Sequence, residues 1–203
     1  MINKVINVNE NDPMHQKLTQ MMNNATESNL IIVARSYKNR KDNAIEPIEV
    51  KNGIYFYVAY NLDGAIAFPA EVTPLQIAIA KSNMAYKARM GTMLDAQLTV
   101  GGFGDFMKHV DEFAAWDEPM ILLTTNELAN GAGILLNKYV LATIKEKLGD
   151  YYILPSSIHE LLIVPANVVS QLDATEMVRG ANRDAVTDDV YLADRAFHVD
   201  EWL

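Results

Sequence analysis

Residues 120–164 read MILLTTNELANGAGILLNKYVLATIKEKLGDYYILPSSIHELLIV, and the spacing of apolar side chains within them decides the fold. Met120-Ile121-Leu122-Leu123-Thr124-Thr125 is a short apolar run closed by a polar residue, which predicts a buried strand. From Gly131 to Leu148 the period lengthens to that of a helix. Leu136, Tyr139, Val140, Thr143 and Ile144 are expected inward, with Asn137, Lys138, Lys145 and Glu146 outward. Gly149-Asp150 ends that helix, and Tyr151–Leu154 and Glu160–Val164 read as two further strands.

Toward the C-terminus, Asp173 with Glu176 has the pattern of a capping box, opening a helix that carries Met177, Val178 and Ala181. Val190-Tyr191-Leu192 and Ala196-Phe197-His198-Val199 supply the last strand material. The resulting order, β-α-β-β-α-β, is the signature of a split βαβ sandwich. Toward the N-terminus, Thr73-Pro74 opens a helix expected to run to about Arg89, with Leu75, Ala78, Ile79, Ser82 and Tyr86 on one stripe and Gly91 as its stop. Val100-Gly101-Gly102-Phe103-Gly104-Asp105 is a glycine-broken turn into a helix bearing Phe106, Val110 and Phe113. Ile54–Tyr60 and Ala65–Phe68 flank Asn61-Leu62-Asp63-Gly64 as a hairpin. Leu30–Ala34 reads as a buried strand, and Asp12-Pro13 opens a short helix. The class expected is α+β, an antiparallel or mixed sheet with helices packed on one face. Residues 1–52 are expected as an irregular segment packed on a core domain of 53–203.

Composition narrows the function classes. Half of the 203 residues are apolar and 21% are charged, as in an ordinary globular chain. No apolar run approaches the roughly 20 residues of a membrane helix, and the first residues lack the pattern of a signal peptide. The absence of cysteine removes disulfides, thiolate metal sites and cysteine nucleophiles, and fits a cytoplasmic protein. A formal charge of −9 argues against direct nucleic-acid binding, which relies on clustered cations. The densest basic stretch, Arg35 with Tyr37-Lys38-Asn39-Arg40-Lys41, reads as a solvated loop.

Met120–Asn126, Gly131-Ala132 and Tyr152-Ile153-Leu154-Pro155-Ser156-Ser157-Ile158-His159-Glu160 resemble, in order, the C-terminal core of the domain-of-unknown-function family numbered 5688. Met177-Val178 with Asn182, Val190-Tyr191 with Asp194-Arg195, and Ala80-Lys81-Ser82-Asn83 upstream continue the likeness, which covers roughly residues 54–200. The resemblance implies an uncharacterised protein of Firmicutes, often associated with mobile elements and typically longer at its N-terminus. It implies no reaction, cofactor or catalytic residue.

Ser156, Ser157, His159 and Glu160 form a polar knot between two apolar runs. Such groups must be bonded, solvated or functional, because leaving one unpaired beside a core costs roughly 1–3 kcal/mol. Ser157, His159 and Glu160 are the catalytic candidates for a hydrolase; the structural alternative is a turn whose hydroxyls satisfy backbone groups. A second candidate set, Asn83, Asn126 and Asn182 with His159, would line a pocket for a neutral ligand if the fold gathered them. Gly131-Ala132-Gly133 resembles a dinucleotide loop, but Leu136 stands at the third glycine position and no acid follows at the required distance, so close packing explains it better. His15, His109 and His198 are scattered, and only His198-Val199-Asp200 could chelate, so no metal is assigned. No cofactor is expected. The leading expectation is a non-catalytic cytoplasmic binding protein with a protein partner; the resemblance implies, as one form of it, a mobile-element product that blocks a host protein. The alternatives are a hydrolase and a small-ligand sensor.

Overall fold

The computed structural model describes residues 13–40, 45–62, 65–84, 86–92, 98–102 and 119–203. They form two antiparallel sheets that share one core. Helix α1 (Pro13–Asn23) precedes β1 (Leu30–Arg35), and β2 (Glu49–Lys51), β3 (Ile54–Leu62) and β4 (Ala65–Ala67) complete the first sheet. Helix α2 (Pro74–Asn83) leads to β5 (Tyr86–Thr92), β6 (Leu98–Gly102) and β7 (Pro119–Thr125). A buried 3-10 turn, Gly131–Leu136, then feeds α3 (Lys138–Leu148), β8 (Tyr151–Leu154), β9 (Glu160–Pro165), α4 (Gln171–Asp184) and β10 (Phe197–His198). The architecture is α+β, and from β7 onward the order is β-α-β-β-α-β.

In the first sheet β3 is central. β1 takes one edge, from Leu30↔Tyr60 to Arg35↔Tyr55, while β2 and β4 pair with opposite ends of β3. This sheet therefore draws strands from both sides of residue 52. The second sheet runs β10-β8-β9-β7-β5-β6. β9 lies between β7 and β8, which is the split βαβ unit. The last strand departs from the usual sandwich: β10 joins β8, with Phe197 opposite Ile153, rather than flanking β7. β5 already holds that edge of β7, from Tyr86↔Thr125 to Thr92↔Pro119.

Alternation sets the core. Ile121, Leu123, Tyr151, Ile153, Leu161 and Ile163 meet Leu30, Ile32, Ala34, Ile54, Phe56 and Val58 of the first sheet. Ala80 of α2 and Val140, Leu141 and Ile144 of α3 join the same cluster. Leu154 and Val164 point to the opposite face, where Ala174 and Val178 of α4 cover them. Helices were expected on one face; α4 takes the other because β8 and β9 carry buried apolar residues on both faces, which must all be covered. Trp202 closes the chain against Phe56 and Phe197, edge-on at 6.0 and 5.5 Å.

Several sequence expectations shift. The helix expected to reach Arg89 ends at Asn83, and Tyr86, Arg89 and Gly91 lie in β5. Asn83 fixes that end by donating Nδ2 hydrogens to the carbonyls of Glu27 at 2.7 Å and Leu30 at 3.0 Å. Beyond it, pairing along β7 outweighs helical spacing. The helix expected from Gly131 is a 3-10 turn followed by α3, whose N-cap is Asn137, with Oδ1 accepting the Val140 N–H at 3.2 Å. The buried stripe of α3 is Val140, Leu141 and Ile144, which leaves Tyr139 at its edge, 74% exposed rather than inward. Ser170, not Asp173, caps α4, accepting the Asp173 N–H at 3.1 Å. The helix expected around Phe106, Val110 and Phe113, with His109, lies outside the described residues.

Candidate functional site

The 3-10 turn wedges between the two sheets, and its glycines make that possible. Gly131 donates its N–H to the His159 carbonyl at 2.9 Å, and Ala132 donates to the Ile158 carbonyl at 3.2 Å. A Cβ at Gly131 would stand 2.7 Å from the Thr124 Cα, and one at Gly133 would overlap the Ile32 carbonyl oxygen. Close approach is what these glycines supply. The Thr124 hydroxyl also donates to the His159 carbonyl at 2.8 Å.

The Ser157 hydroxyl faces the backbone. Its Oγ accepts the His159 N–H at 3.0 Å, a turn closed by a serine side chain. His159 Nδ1 accepts the N–H of Asn130 at 3.3 Å, where Asn130 is buried with a left-handed φ of 55°. Burial pushes the imidazole below its ordinary value, and the Arg35 guanidinium adds to this, against smaller opposing effects of Glu160 and Asp189. Glu160 opens β9 opposite Thr124, and no hydrogen bond joins its side chain to Ser157 or His159.

The rest of the knot is strapped to the C-terminal segment. Ala193 and Leu192 donate to the carbonyls of Pro155 and Ser156 at 3.1 and 3.2 Å, and Ile158 donates to Val190 at 2.9 Å. The basic stretch docks on the same strap instead of standing free. Asn39 Nδ2 reaches the Tyr191 carbonyl at 2.7 Å, and Lys38 pairs with Asp188 at 2.8 Å while lying over the Tyr191 ring. Burial, with Asp194 beside it, pushes the Tyr191 phenol up to about 12.

Of the asparagine set, the fold brings two together. Asn83 and Asn126 line a cleft of about 130 Å³ with Ile31, Met84, Thr125, Glu127 and Ala129. Both Asn83 bonds run through its nitrogen, and Asn61 donates to the Glu127 carboxylate. Asn182 sits elsewhere, donating to the Ala193 carbonyl at 2.7 Å with its own Oδ1 buried and unbonded. His159 does not line the cleft. Sequence reasoning missed Arg35 and Asn130 as neighbours of His159; an asparagine directly before a buried glycine is the local signal for the left-handed residue.

At the far end of α3, ligand atoms of Asp150, His198 and Asp200 lie within 4.8 Å of one another. The His198–Asp200 pairing read from sequence is present, but Lys145 bridges both carboxylates, at 3.0 Å to Asp150 and in direct contact with Asp200. Its ammonium stands where a cation would bind. Among the described residues no helix is long and apolar enough to cross a membrane.

Comparison with known proteins gives a family without a function. The model of the Family of unknown function (DUF5688) matches residues 66–201, and the chain belongs to that family. No curated protein and no solved structure matches the chain.

Proposed function

We propose that this DUF5688 member acts by binding, without catalysis, and that its partner is a protein. One observation carries the reading: the Ser157 hydroxyl accepts a backbone N–H while the His159 ring turns Nδ1 to Asn130. A serine nucleophile needs a base at its hydroxyl, and here the imidazole nitrogen that could serve is engaged elsewhere. The Asn83–Asn126 cleft favours a protein over a free ligand. At about 130 Å³ it falls below the roughly 300–1,000 Å³ of small-molecule sites and suits one side chain. Its floor of Ile31, Met84 and Ala129 would take an aliphatic stem, and Asn83, Asn126 and Glu127 supply polar groups at the rim. The net charge of −9 weighs against nucleic acid. A cytoplasmic, mobile-element product that blocks a host protein is the specific form that the family setting suggests.

The test pairs binding with activity. Partners captured by tagged full-length chain are purified and retitrated against wild type, Asn126→Trp and Ser157→Ala. Asn126→Trp, which fills the cleft, is expected to weaken the complex at least about tenfold, roughly 1.4 kcal/mol, and Ser157→Ala to leave it unchanged. Turnover of an ester, amide or phosphodiester substrate that vanishes in Ser157→Ala and His159→Ala would replace this reading with the hydrolase.

A further inference from the structure

Arg35 ends β1 as a half-buried guanidinium that forms no ion pair with any carboxylate among the described residues. Other cations of the molecule are differently placed: Lys38 pairs with Asp188, Lys145 with Asp150 and Asp200, and Arg195 with Glu201. Arg35 instead donates Nη1 to the carbonyl of Ala34 at 2.8 Å and to Asn130 Oδ1 at a long 3.4 Å. Nη2 and Nε have no acceptor among the described residues. A guanidinium withdrawn from water without a counter-ion is costly, and burial lowers the proton affinity of Arg35 accordingly.

Asn130 holds a second donor beside it. Its backbone N–H goes to His159 Nδ1 at 3.3 Å, so the neutral ring carries its hydrogen on Nε2. Arg35 and His159 are thus fixed on the side chain and backbone of one buried residue, and both present N–H groups. Arg40 extends the cationic character, lying 4.7 Å over the ring of Tyr55, the residue opposite Arg35 in the sheet. Glu160 and Asp189 act on His159 less than Arg35 does, and Glu46 acts on Tyr57 of the neighbouring strand less than Arg40 and Arg35 do.

We propose that Arg35 and His159, held by Asn130, form a receptor for a small oxyanion, a phosphate or a carboxylate group. The edge of the guanidinium left without an acceptor among the described residues matches two oxygens of such a group, and His159 Nε2–H supplies a further donor. The site is separate from the Asn83–Asn126 cleft and does not depend on the binding reading given for it.

The full chain, with 13C-labelled histidine, is titrated with inorganic phosphate or with acetate against sodium chloride at matched ionic strength, following the His159 ring by NMR. A saturable shift with a dissociation constant at or below about 1 mM is expected. Arg35→Gln should weaken it at least about tenfold, and Arg35→Lys, which keeps the charge but loses the fork, should weaken it as well. Saturation with phosphate alone assigns a phosphate group; saturation with both assigns any oxyanion. A shift no larger than that caused by chloride would overturn the proposal, as would Arg35→Lys titrating like wild type.

Discussion

His159 serves the fold as an acceptor, and that role depends on its proton. Its pKa is pushed below the ordinary 6.5 by burial and by Arg35. The unfolded chain therefore binds more protons than the folded one between the lowered value and 6.5, so stability rises with pH across that window. The contribution of His159 is complete above 6.5 and is lost as pH falls toward the folded value. Melting temperature is expected to drop over this range on acidification. In His159→Asn, whose Oδ1 can replace Nδ1 as acceptor for Asn130, that component should disappear. Ser157→Ala removes the acceptor for the His159 N–H and should cost about 1 kcal/mol in denaturant unfolding. The need to satisfy this polar knot was legible from its setting between apolar runs. Its partner Asn130 was not, because hydrogen bonds across 29 residues leave no local pattern.

Glycine behaves differently in each element. At Gly133 a methyl would strike the Ile32 carbonyl and come within 3.0 Å of Met84 Cε, joining the turn to β1 too tightly to admit it. Gly133→Ala should destabilise by about 3 kcal/mol or prevent folding, as overpacking does. In α4, a methyl at Gly180 would find only Arg183 Nη2 at 3.8 Å. Gly180→Ala should stabilise by about 0.5–1 kcal/mol, and the two variants compared by chemical denaturation separate packing from propensity. The close-packing role of Gly131-Ala132-Gly133 was readable from sequence, as were β7, β8 and β9. The α2–β5 boundary was not: Leu75, Ala78, Ile79, Ser82 and Tyr86 keep a helical period, while pairing with β7 and the Asn83 bonds to Glu27 and Leu30 favour the end at Asn83.

At the scale of the molecule, two sheets close on one core through a segment that belongs to neither. β1 meets the 3-10 turn, the turn meets His159, and His159 introduces β9. The α+β class and the final β-α-β-β-α-β order could be derived from spacing alone. The pairing of β10 with β8 could not, since it follows from β5 occupying β7. Phe56, 0% exposed and packed edge-on against Trp202, lies where the first sheet meets the end of the chain. Phe56→Ala should cost about 3–5 kcal/mol in one cooperative unfolding transition that includes both sheets.

The claim that the Ser157–His159 segment is a structural latch is tested most directly by the 15N shifts of the His159 ring at neutral pH, in wild type and Ser157→Ala. An unprotonated Nδ1 and a protonated Nε2, unchanged by loss of the hydroxyl, are predicted. A ring nitrogen whose shift moves when Ser157 is removed would place the imidazole on that hydroxyl and contradict the account.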